Sequence, residues 1–135
     1  MADAATPYVD LGDVGLRLAA AVITGMVIGL DREWRGKTVG IRTLALVALG
    51  SALVCLATVH FAALENRPDA VSRVIQGVIQ GVMTGIGFLG AGAILKGPAQ
   101  HQAHGLTTAA TVWVTAALGI ACALATCRSS SSAWA

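Results

Sequence analysis

The sequence predicts an all-α protein, a polytopic transmembrane bundle of four helices, and two observations lead to that class. Hydrophobic residues make up 56% of the 135 residues and charged residues only 12%, whereas about a quarter of a soluble domain is charged. The apolar residues also fall into four runs, which short polar segments separate. Sixteen glycines and few aromatic residues favour close-packed helices over a transmembrane β-barrel, whose strands carry aromatic girdles.

A helix that spans a membrane needs about 20 apolar residues, and the four apolar runs are close to that length. They predict helices at about 14–30, 43–64, 74–95 and 106–127, within one transmembrane domain over residues 14–127. Arg17 shortens the first run, so an interfacial or re-entrant helix is the alternative there, although a basic side chain near a helix end can reach the interface. Residues 1–13 are predicted to be a polar lead, and residues 128–135 a disordered tail.

Basic residues predict the orientation, because cytoplasmic loops of membrane proteins carry an excess of Lys and Arg. Four basic residues fall within residues 31–42, and Lys96 follows the third helix on the same side. Four more lie on the opposite side, so the margin is narrow. The concentration of charge next to the first helix predicts that residues 31–42 face the cytoplasm and that both chain ends face outward.

The charged segment between the first two helices is the main candidate site. The functional cluster that we predict there consists of Asp31, Arg32, Glu33, Lys37 and Arg42. In one interpretation the segment is a solvated connector, in which Asp31 pairs with Arg35, and Glu33 with Lys37, at i,i+4 spacing. In the other, a carboxylate faces the bundle interior, where it binds a cation or pairs with Arg42.

Small residues recur at four-residue spacing and predict close contacts between helices, because small side chains let membrane helices approach. The glycines predicted to pack in this way are Gly25, Gly29, Gly77, Gly81, Gly85 and Gly92. The fourth helix carries Thr111, Thr115 and Gly119 at the same spacing.

Polar residues inside the predicted helices allow two interpretations. Gln76 and Gln80 share one face of the third helix, and Thr108 and Thr111 lie on the fourth. They form hydrogen bonds to neighbouring helices in the first interpretation, and a polar pathway for an ion or small solute in the second.

Catalysis, cofactor binding and nucleic-acid binding are not predicted. The sequence contains neither a cofactor motif nor a nucleophile–base pair, and the net charge of +2 is too small to indicate nucleic acid. His101 and His104 have metal-ligand spacing but no third ligand nearby in sequence, so we predict no metal site.

Three segments of the chain match known motifs. They are GLDREWRGKTVGIRT at 29–43, RVIQGVIQGVMTGIGFLGAGAIL at 73–95 and GLTTAATVWVTAALGIA at 105–121. In this order they resemble the MgtC/SapB family. The resemblance implies a multi-pass protein of the bacterial inner membrane, linked to magnesium-limited growth and virulence. For one branch it also implies inhibition of the F-type ATP synthase, which makes that enzyme a candidate partner.

Two departures from the family pattern are expected to matter. Asp31 stands where the family usually has glutamate. The similarity is also expected to end near Ala121, without the fifth helix and the cytoplasmic domain of the family.

The function that these features predict is that of a non-enzymatic accessory or regulatory protein, which acts through helix contacts with a membrane partner. Lipid, other membrane proteins and a second copy of the chain are the expected contacts. One alternative is a small divalent-cation or solute transporter that uses Asp31, Glu33, Gln76 and Gln80. The other is an inert truncated fragment.

Overall fold

The computed structural model describes residues 11–64, 68–95 and 105–125. It contains the helices α1 (Leu11–Trp34), α2 (Ile41–Leu64), α3 (Pro68–Leu95) and α4 (Leu106–Leu124). All four are long and apolar enough to cross a membrane. The predicted fold class, an all-α bundle of membrane-length helices, is therefore confirmed.

The bounds of the helices differ from the predicted ones mainly where polar residues continue a helix. α1 extends from Leu11 to Trp34 rather than over 14–30. Its charges pair along the helix, Asp13 with Arg17 at 2.7 Å and Asp31 with Arg35 at 3.0 Å, and such i,i+4 pairs stabilise helical ends.

The bounds of the other helices also differ from the predicted ones. α3 begins at Pro68 rather than 74, because proline fits the first turn of a helix, where its missing N–H is not needed. α2 begins at Ile41 rather than 43, and α4 ends at Leu124 rather than 127. The predicted disordered tail and residues 1–10 of the predicted lead lie outside the described residues.

The bundle is organised around α2 and α4. Each of these two helices contacts the other three, whereas α1 and α3 make no contact with each other within the described ranges. Alanines of α2 and residues of α4 form most of the core, which consists of Ala21, Leu44, Ala48, Ala52, Cys55, Ile86, Val112, Ala116, Ile120 and Ala123. One side of α3 is therefore packed against α2 and α4, and its other side faces away from the bundle.

Glycines allow the closest approaches of α2 to its neighbours. A Cβ on Gly25 would lie 2.5 Å from the Leu44 carbonyl oxygen, and one on Gly29 would lie 2.8 Å from the Ile41 nitrogen. A Cβ on Gly119 would overlap the Ala48 carbonyl oxygen. Because each obstacle is backbone, no side chain could move aside to make room.

The two ends of the bundle differ. We call the end that carries the turn at residues 35–40 and the start of α4 the inner end, and the opposite one the outer end. Gly36 has a φ of +64°, a left-handed conformation that suits glycine, and it reverses the chain between α1 and α2. The predicted charged cluster is thereby placed at the inner end.

Candidate functional site

The charged cluster occupies the last turn of α1, the turn that follows and the first turn of α2. Asp31, Arg32 and Glu33 belong to α1, so the prediction that they lie between the first two helices is wrong. Their helical spacing of 100° per residue points the three side chains in different directions. The cluster is therefore divided among three environments.

Asp31 lies on the exposed side of α1. Its Oδ1 accepts a hydrogen bond from Nε of Arg35 at 3.0 Å, and both side chains are more than half exposed. The predicted i,i+4 pair is confirmed. Such an exposed pair contributes little to stability, typically about 0.2–1 kcal/mol.

Glu33 has a different partner from the one predicted. Its Oε2 accepts a hydrogen bond from the backbone N–H of Ile41 at 3.2 Å, at the N-terminus of α2. Within the described ranges it forms no pair with Lys37, because α1 ends at Trp34 and the turn at Gly36 carries Lys37 away. Glu33 therefore caps α2, where the helix dipole favours a negative charge. Neither carboxylate of the cluster faces the bundle interior.

Arg32 is the member of the cluster that faces the interior. Its side chain is 6% exposed, and Nη2 donates a hydrogen bond to Oγ1 of Thr108 on α4. Nε is buried and has no acceptor among the described residues. The sequence reasoning missed this burial, although Ala21, Gly25, Gly29 and Arg32 are the buried residues of α1 and share one face.

Arg17 makes the corresponding contact at the outer end. Nη1 donates to the Ala123 carbonyl oxygen at 2.7 Å, and Nη2 pairs with Asp13 at 2.7 Å. The side chain is only 20% exposed. The two arginines of α1 thus contact α4 near both of its ends.

Lys37 and Arg42 remain exposed at the inner end. With Glu33, Thr38 and Thr43 they line an open depression next to the start of α2. The predicted pairing of Arg42 with a carboxylate is absent from the described part of the chain. This surface is polar and mainly basic.

The predicted packing glycines divide into two groups. Gly25 and Gly29 lie against the backbone of α2, as described above. The α3 glycines have open space around them, with nothing within 4 Å of an added Cβ at Gly77, Gly81, Gly85 and Gly92. Within the described helices these four do not set the distance between helices, so any packing role they have would involve contacts outside the described part of the chain.

The residues of the predicted polar pathway do not form one continuous path. Gln76 and Gln80 are exposed on α3, at the edge of the side that packs against the bundle. Thr108 is buried beneath Arg32, and Thr111 donates to the carbonyl of Thr107 in its own helix at 2.7 Å. Gln76 also lies about 25 Å along α3 from the residues that meet the start of α4.

Among the described residues, no three His, Cys, Asp or Glu side chains come close enough to hold an ion. His101 and His104 lie outside those residues.

The helices and their lengths define a multi-pass membrane protein. The MgtC family matches residues 18–133, and the chain belongs to this family. The match extends past Ala121, so the expectation that the similarity ends there is wrong.

Relatives with 39–44% identity support the same assignment. The chain is 44% identical over 126 residues to protein SrpB of Synechococcus elongatus, covering 87% of this chain and 68% of SrpB. It is 39% identical over 109 residues to protein MgtC of Salmonella typhimurium, covering 81% of this chain and 42% of MgtC.

A third relative is an Escherichia coli protein named "Putative magnesium transporter YhiD". It is 41% identical over 105 residues, which cover 78% of this chain and 48% of YhiD. The chain thus spans less than half the length of MgtC and YhiD. No solved structure matches the chain.

Proposed function

We propose that this protein is a non-enzymatic accessory or regulatory protein of the bacterial inner membrane, associated with growth at low magnesium. It acts by contact between α3 and a helix of a membrane partner. Membership of the MgtC family supports the general class. The outer face of α3, defined as Gln76, Gly77, Gln80, Gly81 and Thr84, is the observation that carries the proposed mode of action.

The outer face of α3 is poorly suited to lipid alone. Gln76 and Gln80 are exposed there, and a carboxamide in hydrocarbon is unfavourable unless it is hydrogen-bonded. Thr84 donates to the Gln80 carbonyl of its own helix at 2.8 Å, but the two carboxamides sit on the surface of the bundle. A neighbouring helix with polar side chains would give them partners.

The glycines of this face would allow such a helix to approach closely. Gly77 and Gly81 are one turn apart with nothing within 4 Å of an added Cβ. Small residues at this spacing let two membrane helices come into backbone contact, where van der Waals packing and interhelical hydrogen bonds drive association. A smooth stripe beside two carboxamides therefore favours a protein contact over lipid.

Photo-crosslinking tests this mode of action. We expect a benzophenone side chain at position 80 to capture a specific membrane protein in cells, because that position faces the partner. The same group at Val54, which is 46% exposed on α2, serves as the matched lipid-facing control. Adducts are identified by mass spectrometry, with the F-type ATP synthase and a second copy of this chain as the first candidates.

Two further results would decide the crosslinking experiment. Gly81→Leu should suppress the adduct from position 80, whereas Gly50→Leu should leave it unchanged, since Gly50 lies in open space on α2. Adducts with lipid alone, or the same proteins from positions 54 and 80, would contradict the proposal.

Transport of a divalent cation is the second candidate, and the name of the YhiD relative is what favours it. The geometry gives it little support, because Asp31 is engaged by Arg35 and Glu33 by the N-terminus of α2. Proteoliposomes separate the two functions. Magnesium flux above that of empty vesicles, lost in Glu33→Gln, would replace the accessory role by transport.

A further inference from the structure

Arg32 lies at the end of α4 that is unfavourable for a cation. Its guanidinium contacts Thr108, the third residue of α4, and the side chain is 6% exposed. The first turn of a helix carries a partial positive charge of about +0.5 and N–H groups without partners in the helix. The guanidinium adds a full positive charge to this region, away from water.

Arg17 shows the contrasting arrangement at the other end of α4. Nη1 of Arg17 donates to the Ala123 carbonyl oxygen, where the helix carries partial negative charge, and Nη2 pairs with Asp13. Arg17 therefore has an anionic or electronegative partner for each of these two groups. The buried Nε of each arginine has no acceptor among the described residues. The two differ in their Nη groups, because Arg32 has only the neutral hydroxyl of Thr108 for Nη2.

Among the described residues, no acidic side chain supplies the missing negative charge. At the inner end, Asp31 is paired with Arg35, and Glu33 caps α2. Residues 96–104, which connect α3 to α4, contain neither Asp nor Glu. The other acidic residues that the structure describes, Asp13 and Asp69, belong to the first turns of α1 and α3 at the outer end.

The N-terminus of α4 also lacks a side-chain cap among the described residues. Its N-cap residue is Gly105, with a φ of +103°, and no described side chain accepts a hydrogen bond from the backbone N–H groups of the first turn. An anion bound there would accept hydrogen bonds from backbone N–H groups and from the guanidinium together. Phosphate oxygens suit both kinds of donor, because helix N-termini and the planar fork of arginine are common phosphate-binding groups.

We propose that Arg32 and the first turn of α4 bind a phosphate group. Trp34, two residues further along α1, is 92% exposed at the inner end. Tryptophan is enriched at the level of lipid headgroups, so Arg32 lies near the depth at which phospholipid phosphates are available. Dissolved phosphate offers the same chemistry. Because the phosphate site involves α1 and α4, the result of its test does not depend on the contact proposed for α3.

Titration of the purified full chain tests the site. The protein is held in dodecyl maltoside, a detergent without phosphate, and its thermal unfolding is followed as phosphatidylglycerol or, separately, inorganic phosphate is added. We expect the unfolding midpoint of the wild type to rise with at least one of the two. In Arg32→Met the apparent affinity should fall by about tenfold or more, since hydrogen bonds from a charged group are lost.

Arg42→Met is the matched control. It removes the same charge from an exposed position at the inner end, so its apparent affinity should stay within about twofold of the wild type. Arg32→Lys keeps the charge without the planar fork and should bind with intermediate affinity. It provides the test in the event that Arg32→Met does not fold.

The pattern of responses identifies the source of the phosphate. A response to phosphatidylglycerol alone assigns the site to a lipid headgroup, and a response to inorganic phosphate alone assigns it to the dissolved ion. A wild type that responds to neither overturns the proposal. An equal response to acetate at matched ionic strength also overturns it, because the arginine would then bind carboxylates, such as one from a partner protein.

Discussion

Gly119→Ala is expected to destabilise the bundle by about 1–3 kcal/mol, the range typical of added volume in a packed core. The new methyl group would overlap the Ala48 carbonyl oxygen, so α2 and α4 would have to move apart. These two helices form the centre of the bundle and contact every other element. Loss of stability is measured as the free energy of unfolding, by titrating the protein in mixed micelles with a denaturing detergent and following helicity.

Alanine at position 81 should not lower the free energy of unfolding. An added Cβ at Gly81 meets nothing within 4 Å, and alanine is favoured over glycine in a helix by up to about 1 kcal/mol. Gly81→Ala should therefore leave stability unchanged or raise it slightly. Equal destabilisation by both substitutions would show that α3 packs differently from the arrangement described here.

Thr108→Val is expected to cost about 1.5–3 kcal/mol, the usual contribution of a hydrogen bond to a charged group. The hydroxyl of Thr108 is the acceptor for Nη2 of the buried Arg32. Without it, a second nitrogen of the guanidinium would be left without an acceptor, next to the unpartnered Nε. Unfolding in phosphate-free mixed micelles gives the measurement.

Thr111→Val is the control for that experiment, because Thr111 lies one turn further along the same helix. Its hydroxyl donates only within α4, to the Thr107 carbonyl at 2.7 Å. Such a bond back to the helix adds little to stability, so the change should stay within about 0.5 kcal/mol. If Thr108→Val is as mild as Thr111→Val, the contact between α1 and α4 does not depend on Arg32.

The fold was predictable because it depends on composition and run length. Four apolar runs of near-membrane length leave few alternatives to four helices. The ends of α1 were harder to predict, since Asp13 and Glu33 look like boundaries in a hydropathy pattern. In the structure both residues lie within α1, where Asp13 pairs with Arg17 and Glu33 accepts a hydrogen bond from the start of α2.

The candidate site was only partly predictable. The segment was identified as a charge cluster at the bundle end, but of its two interpretations the one that placed a charge in the interior chose a carboxylate. Which charge turns inward depends on helical phase, and Arg32 continues the buried face of Gly25 and Gly29. The role of Glu33 depended on the left-handed turn at Gly36, which brings the start of α2 back to it.

The glycines of α3 are a second case in which the sequence pattern did not predict the neighbour of a side chain. Four-residue spacing predicts a smooth helix surface wherever it occurs, but it does not tell which neighbour that surface meets. In α1 the neighbour is α2, in close backbone contact at Gly25 and Gly29. In α3 the smooth surface meets none of the described helices, which is why we propose that it contacts a partner.

Growth at low magnesium tests the proposed role of the outer face of α3 most directly. The chain is expressed in a bacterium that lacks its own MgtC relative, together with Gly81→Leu and the control Gly50→Leu, both of which add bulk in open space. We predict that the wild type and Gly50→Leu restore growth, and that Gly81→Leu does not, at equal amounts of membrane-inserted protein. Restoration by Gly81→Leu would contradict contact through α3, and no restoration by the wild type would favour an inert fragment.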